Sequence, residues 1–114
     1  MDNTTIEKNI QTLLVSIKKS SIYKEYKEQE KILNRSPELA ERVSQFRADN
    51  FRLQNDGDRE NLFRIVEDLA RESAELRRHP QVNAYLDAEL ALCRLMQHIC
   101  RTLTAGIDMT TPPL

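Results

Sequence analysis

The stretch PQVNAYLDAELALCRLMQHICRTL, residues 80–103, decides the fold. At about 100° per residue, Val82, Leu86, Leu90, Cys93, Met96, Cys100 and Leu103 make one apolar stripe. Tyr85, Ala88, Leu92, Leu95 and Ile99 make a second stripe beside it. Asn83, Asp87, Arg94, His98 and Arg101 are left as a narrow strip to face water. A helix apolar over roughly two-thirds of its girth is either central in a large core or sandwiched between its own chain and another. A chain of 114 residues is one domain with a small core, so a partner chain is the expected cover. The predicted oligomer interface is Val82, Tyr85, Leu86, Glu89, Leu92, Cys93, Leu95, Met96, Ile99, Cys100 and Leu103. Glu89 is the ionisable residue near the middle of this face, with Gln97 nearer its edge. A polar residue in an apolar seam needs a partner and can fix register and oligomeric state.

The segments before this helix read as four more. Thr4 and Glu7 have capping-box spacing ahead of Ile6, Ile10, Leu13, Leu14 and Ile17. A second helix begins near Ser20 or Ser21 and carries Tyr23, Tyr26, Ile32 and Leu33. Ser36-Pro37-Glu38 opens the third, with a capping serine, a proline in the first turn and an acid at the positive dipole end. Leu39, Val43, Phe46, Asn50 and Leu53 continue it at helical spacing. The run from Asn55 to Asp58 is a strong break, placing a hairpin around Gly57. Leu62, Phe63, Val66, Leu69, Ala70, Ser73 and Leu76 mark the fourth helix, with Glu60–Arg64 and Glu67–Arg71 as supporting pairs. His79-Pro80 opens the fifth, and Gly106 is expected just past its end. The predicted fold is all-α: an antiparallel bundle or hairpin of about five helices with a long C-terminal helix, expected to be oligomeric. Residues 1–107 form one helical domain, and 108–114, with Pro112-Pro113, a flexible tail.

Composition agrees. Glycine is limited to Gly57 and Gly106, tryptophan is absent and charged residues make up 31% of the chain. That is the make-up of packed helices. Seventeen bases against eighteen acids give a net charge of −1, so no global field attracts nucleic acid and no direct nucleic-acid binding is expected. The N-terminal residues lack the basic and apolar regions of a signal peptide. No run reaches the ~18 apolar residues of a membrane span. With only two cysteines, both inside a helical apolar pattern, a cytoplasmic location is expected.

The residues name no reaction. Cys93 and Cys100 lie about 10 Å apart along one helix face, too far for a disulfide within the helix, and read as small buried hydrophobes. Only a two-fold interface would gather four thiols. His79 reads as a turn or capping residue, and His98 lies on the wet strip. No phosphate-binding glycine loop, nucleophile elbow or paired metal-ligand motif occurs. No catalytic residue, metal or cofactor is predicted. The alternative is a small all-helical enzyme with a site at a subunit junction near Glu89, in the manner of all-helical chorismate mutases.

A family resemblance covers about residues 5 to 105. It is carried by SIYKEY (21–26), LNRSPEL (33–39), Phe46-Arg47, Leu53-Gln54, LRRHPQV (76–82) and YLDAEL (85–90). In these segments the chain resembles the YlbF/YmcA family of small helical bacterial proteins. The resemblance implies a non-enzymatic regulatory factor that self-associates or pairs with related chains. It also implies an indirect link to the messenger-cleaving ribonuclease RNase Y, through a complex acting in competence, sporulation and biofilm formation. Some family members bear C-terminal cysteines linked to iron–sulfur clusters. No cysteine follows Cys100 in this sequence, so no cluster is carried over.

Overall fold

Each predicted helix start is realised within a few residues in a computed structural model that describes residues 2–55 and 62–107. The elements are α1 (Asp2–Lys19), α2 (Ser21–Asn34), α3 (Pro37–Asn55), α4 (Leu62–Leu76) and α5 (Pro80–Ile107), with no strand among the described residues. The fold is all-α.

The junctions show why the helices break where they do. Ser20 caps α2: its Oγ accepts the Tyr23 N–H at 3.2 Å and donates to the Ile17 carbonyl at 2.6 Å. The hydroxyl thus satisfies an orphan amide of α2 and adds a second donor to the Ile17 carbonyl, which also accepts the Ser20 N–H at 3.0 Å. Ser20→Ala is expected to lower stability by about 1 kcal/mol, measured as a shift in urea midpoint without a change in slope. Pro37 and Pro80 are the first residues of α3 and α5. The carbonyls just before them take the first helical bonds, Ser36 from Ala40 at 3.0 Å and His79 from Val82 at 3.0 Å. The short link from α4 to α5 is pinned by Asn83, whose Nδ2 donates to the Arg77 carbonyl at 2.6 Å. Its Oδ1 accepts from the Arg77 guanidinium at 3.1 Å.

Three local expectations are corrected. Thr4 does not cap α1, because no proline or glycine stops the helix from running back to Asp2; Glu7 instead accepts from Gln11 Nε2 at 3.0 Å. Gly106 lies inside α5, which continues to Ile107. Arg71 meets Asp68 at 3.7 Å, one turn away at i,i+3, rather than Glu67. The turn at Gly57, the Glu60 partner of Arg64 and the tail at 108–114 lie outside the described residues. Because a Cβ added at Gly106 meets nothing within 4 Å, Gly106→Ala is expected to stabilise the chain by about 0.5 kcal/mol. A small rise in thermal midpoint would register it.

Backbone contacts group the chain into two units, Lys27–Leu86 and Met1–Tyr26 with Asp87–Leu114. In the first, α3 packs on α4, and Leu33, Val43, Leu69, Leu76, Val82 and Tyr85 are buried. Arg42 braces the α3–α4 hairpin from outside, donating from Nε and Nη2 to Glu72 Oε1 at 3.3 and 3.1 Å. Arg47 of α3 donates to the Tyr85 hydroxyl at 3.1 Å, its guanidinium carbon 5.6 Å from the ring centroid. Asn50, on the inward stripe of α3, is half-buried and donates to the Phe46 carbonyl at 3.1 Å within its own helix. The second unit is different in kind. Ala88 is its one buried apolar side chain among the described residues, whereas Ile6, Ile10, Leu13, Leu14 and Val15 of α1 are exposed.

Candidate functional site

The structure separates the predicted interface residues by what covers them. Val82 and Tyr85 are spent on the chain's own core: Val82 is 0% exposed and Tyr85 holds Arg47. Leu86, Glu89, Leu92, Leu95 and Ile99 are half-buried. Cys93, Met96, Cys100 and Leu103 are exposed, as is their neighbour Leu90. The two apolar stripes of α5 are therefore not equivalent. Tyr85, Ala88, Leu92, Leu95 and Ile99 turn toward cover within the chain. Leu90, Cys93, Met96, Cys100, Leu103 and Ile107 turn to solvent, with Met96 42% and Leu103 57% exposed.

This division corrects one reading of the thiols. Cys93 and Cys100 are free and exposed rather than buried, because the stripe that carries them is not the one that meets the chain's own helices. Among the described residues no group of three or more histidine, cysteine or carboxylate side chains is placed to hold a metal ion. Glu89 is half-buried, within the stripe that carries Met96 and Cys100. His98 is exposed on α5, while half-buried His79 supplies its carbonyl to the start of that helix.

Open depressions among the described residues include two that lack Glu89. One lies on α1 along Gln11, Thr12, Val15, Ser16 and Lys19. The other lies in the α3–α4 hairpin between Arg42, Gln45, Phe46, Asp49, Asp68, Leu69 and Glu72. Among the described residues, no charged or polar side chain is buried. The features that stand out are apolar surfaces on helices: the outward stripe of α5 and the exposed residues of α1.

Sequence reasoning missed α1 as part of this surface. Its stripe of Ile6, Ile10, Leu13, Leu14 and Ile17 was visible, but the same periodicity serves a helix that faces its own core. Only the exposure of Ile6, at 55%, and of its neighbours tells the cases apart. No helix among the described residues is long and apolar enough to cross a membrane.

An all-helical chain with an apolar surface on its terminal helices can be set beside known proteins. No curated protein and no solved structure matches it significantly. A family model described as "Control of competence regulator ComK, YlbF/YmcA" matches residues 6–108. That span covers α2 to α5 and α1 from Ile6 onward, and the chain belongs to the YlbF/YmcA family.

Proposed function

We propose that the protein is a non-enzymatic regulatory adaptor, acting in the cytoplasm through helical protein–protein interfaces. The outward stripe of α5 is its assembly face, used with a second copy or a related chain. Its regulatory output runs through competence control and, by way of a larger complex, through RNase Y-dependent messenger turnover. The observation that carries the reading is the contrast between the two units. Lys27–Leu86 holds nearly all the buried apolar side chains, while the terminal helices expose Ile6, Ile10, Leu90, Met96 and Leu103. Contiguous exposed apolar surface on a chain of this size fits an interaction site. The family's regulatory description supports the same class of function. The charged faces of α2 and α4 remain for other partners.

The test is a complementation experiment in the native host. The gene is deleted, then restored as wild type or as Met96→Asp, and ComK-dependent expression is measured. Wild type is expected to restore control and Met96→Asp to fail at equal protein level. Full restoration by Met96→Asp would overturn the assembly-face reading.

A further inference from the structure

We infer that the end of the hairpin at which α3 begins and α4 stops, where Arg35, Arg77 and Arg78 stand, is a docking surface for a carboxylate-rich segment of a partner protein. This surface belongs to the Lys27–Leu86 unit. It goes beyond the assembly-face reading of α5 and does not depend on it.

Charge is segregated along this part of the chain. Residues 31–37 and 76–86 hold Lys31, Arg35, Arg77 and Arg78 and no acid, while 38–75 between them hold ten acids against six bases. Folding brings the two acid-free stretches to one end. Six residues separate α3 from α4, which pack together and so run antiparallel. Arg42 pairs with Glu72 at 3.1 Å and Glu75 at 3.7 Å, which sets Pro37 and Leu76 level to within about one turn. Buried Leu33, Leu76 and Val82 anchor the two links that leave this end, whereas all four basic side chains are exposed. Arg77 is held in place. Its Nη1 donates to Asn83 Oδ1 at 3.1 Å, and Asn83 Nδ2 donates to the Arg77 carbonyl at 2.6 Å. A guanidinium has five N–H donors, so most of them remain for a ligand. Lys31, Arg35 and Arg78 have no ion-pair partner among the described residues.

Helix dipoles do not account for this charge. Helices α2 and α4 stop at this end and α3 and α5 begin there, so their terminal partial charges largely offset one another. The side chains then set the potential. Guanidinium forks match carboxylates through two parallel hydrogen bonds, and a short acidic segment meets only the basic end. A polynucleotide fits less well, because its long run of phosphates would pass the net-acidic body of the same hairpin.

The probe is dye-labelled deca-glutamate, followed by fluorescence polarisation at low salt. Deca-glutamine is the uncharged control and an oligothymidylate of equal charge is the phosphate control. Wild type is expected to bind deca-glutamate but not deca-glutamine, and to bind oligothymidylate more weakly. Arg35→Glu with Arg78→Glu should weaken deca-glutamate binding about tenfold; both side chains are exposed, so helix content stays unchanged. Arg52→Glu with Arg64→Glu makes the same charge change at the other end of the hairpin and should alter affinity less than about twofold. No binding by wild type, or undiminished binding by the first pair, overturns the proposal. Equal loss in both pairs would mean attraction by net charge alone and overturn it too. Tighter binding of oligothymidylate would mean a nucleic-acid surface, with the same consequence. Met96→Asp is expected to bind deca-glutamate like wild type, so this test and the complementation test fail separately.

Discussion

Leu76→Ala is expected to destabilise the chain by about 2–5 kcal/mol, the largest stability effect of any single truncation considered. Leu76 is 1% exposed and is the last residue of α4. Beside it in sequence, the link to α5 is held by the His79 N–H on the Leu76 carbonyl at 3.1 Å and by the two Asn83–Arg77 bonds. A pinned link cannot collapse into the space a missing isobutyl group leaves, so the cavity term adds to the lost transfer energy. Small domains have only about 5–15 kcal/mol to lose. Urea unfolding followed by circular dichroism is the measurement, made at one fixed protein concentration because assembly contributes to apparent stability. A shift under about 1 kcal/mol would mean that Leu76 is not at the centre of the Lys27–Leu86 core.

Met96→Asp is expected to separate assembled copies while leaving each one folded. In the single chain Met96 is 42% exposed, so a carboxylate there meets water and helix content by circular dichroism stays unchanged. In an assembly through the outward stripe of α5, the carboxylate is stripped of water. Desolvation of an unpaired charge costs several kcal/mol, which corresponds to about a thousandfold weaker dimer. Light scattering over a dilution series should report half the wild-type mass. A variant that keeps the wild-type mass would place the assembly face elsewhere, with α1 the next surface to alter.

The fold was almost fully legible in the sequence, for a local reason. Ser20, Ser36-Pro37 and His79-Pro80 act within one helical turn, and each sits where a helix starts. Gly106 and Thr4 misled for the complementary reason. A glycine or a threonine permits a helix end but does not impose one when nothing nearby breaks the helix. The surface was half legible. Periodicity showed that α5 carries two apolar stripes, but a stripe does not say which neighbour it meets. Tyr85 was assigned to a partner chain and is in fact held by Arg47 of its own. The apolar spacing of α1 shows a stripe without saying whether that stripe meets the core or solvent. Which stripe turns inward depends on how α3 and α4 meet the start of α5, and the side-chain pattern of α5 alone does not contain that.

The uneven placement of buried side chains bears on how long a molecule survives when it is scarce. Regions with few buried apolar groups open at low free-energy cost, and cleavage follows the population of open forms. With its buried residues gathered in Lys27–Leu86, a solitary copy presents its two ends to proteases while its middle holds. Dilution would then shorten the protein's lifetime, and the cell would keep only as many copies as find company.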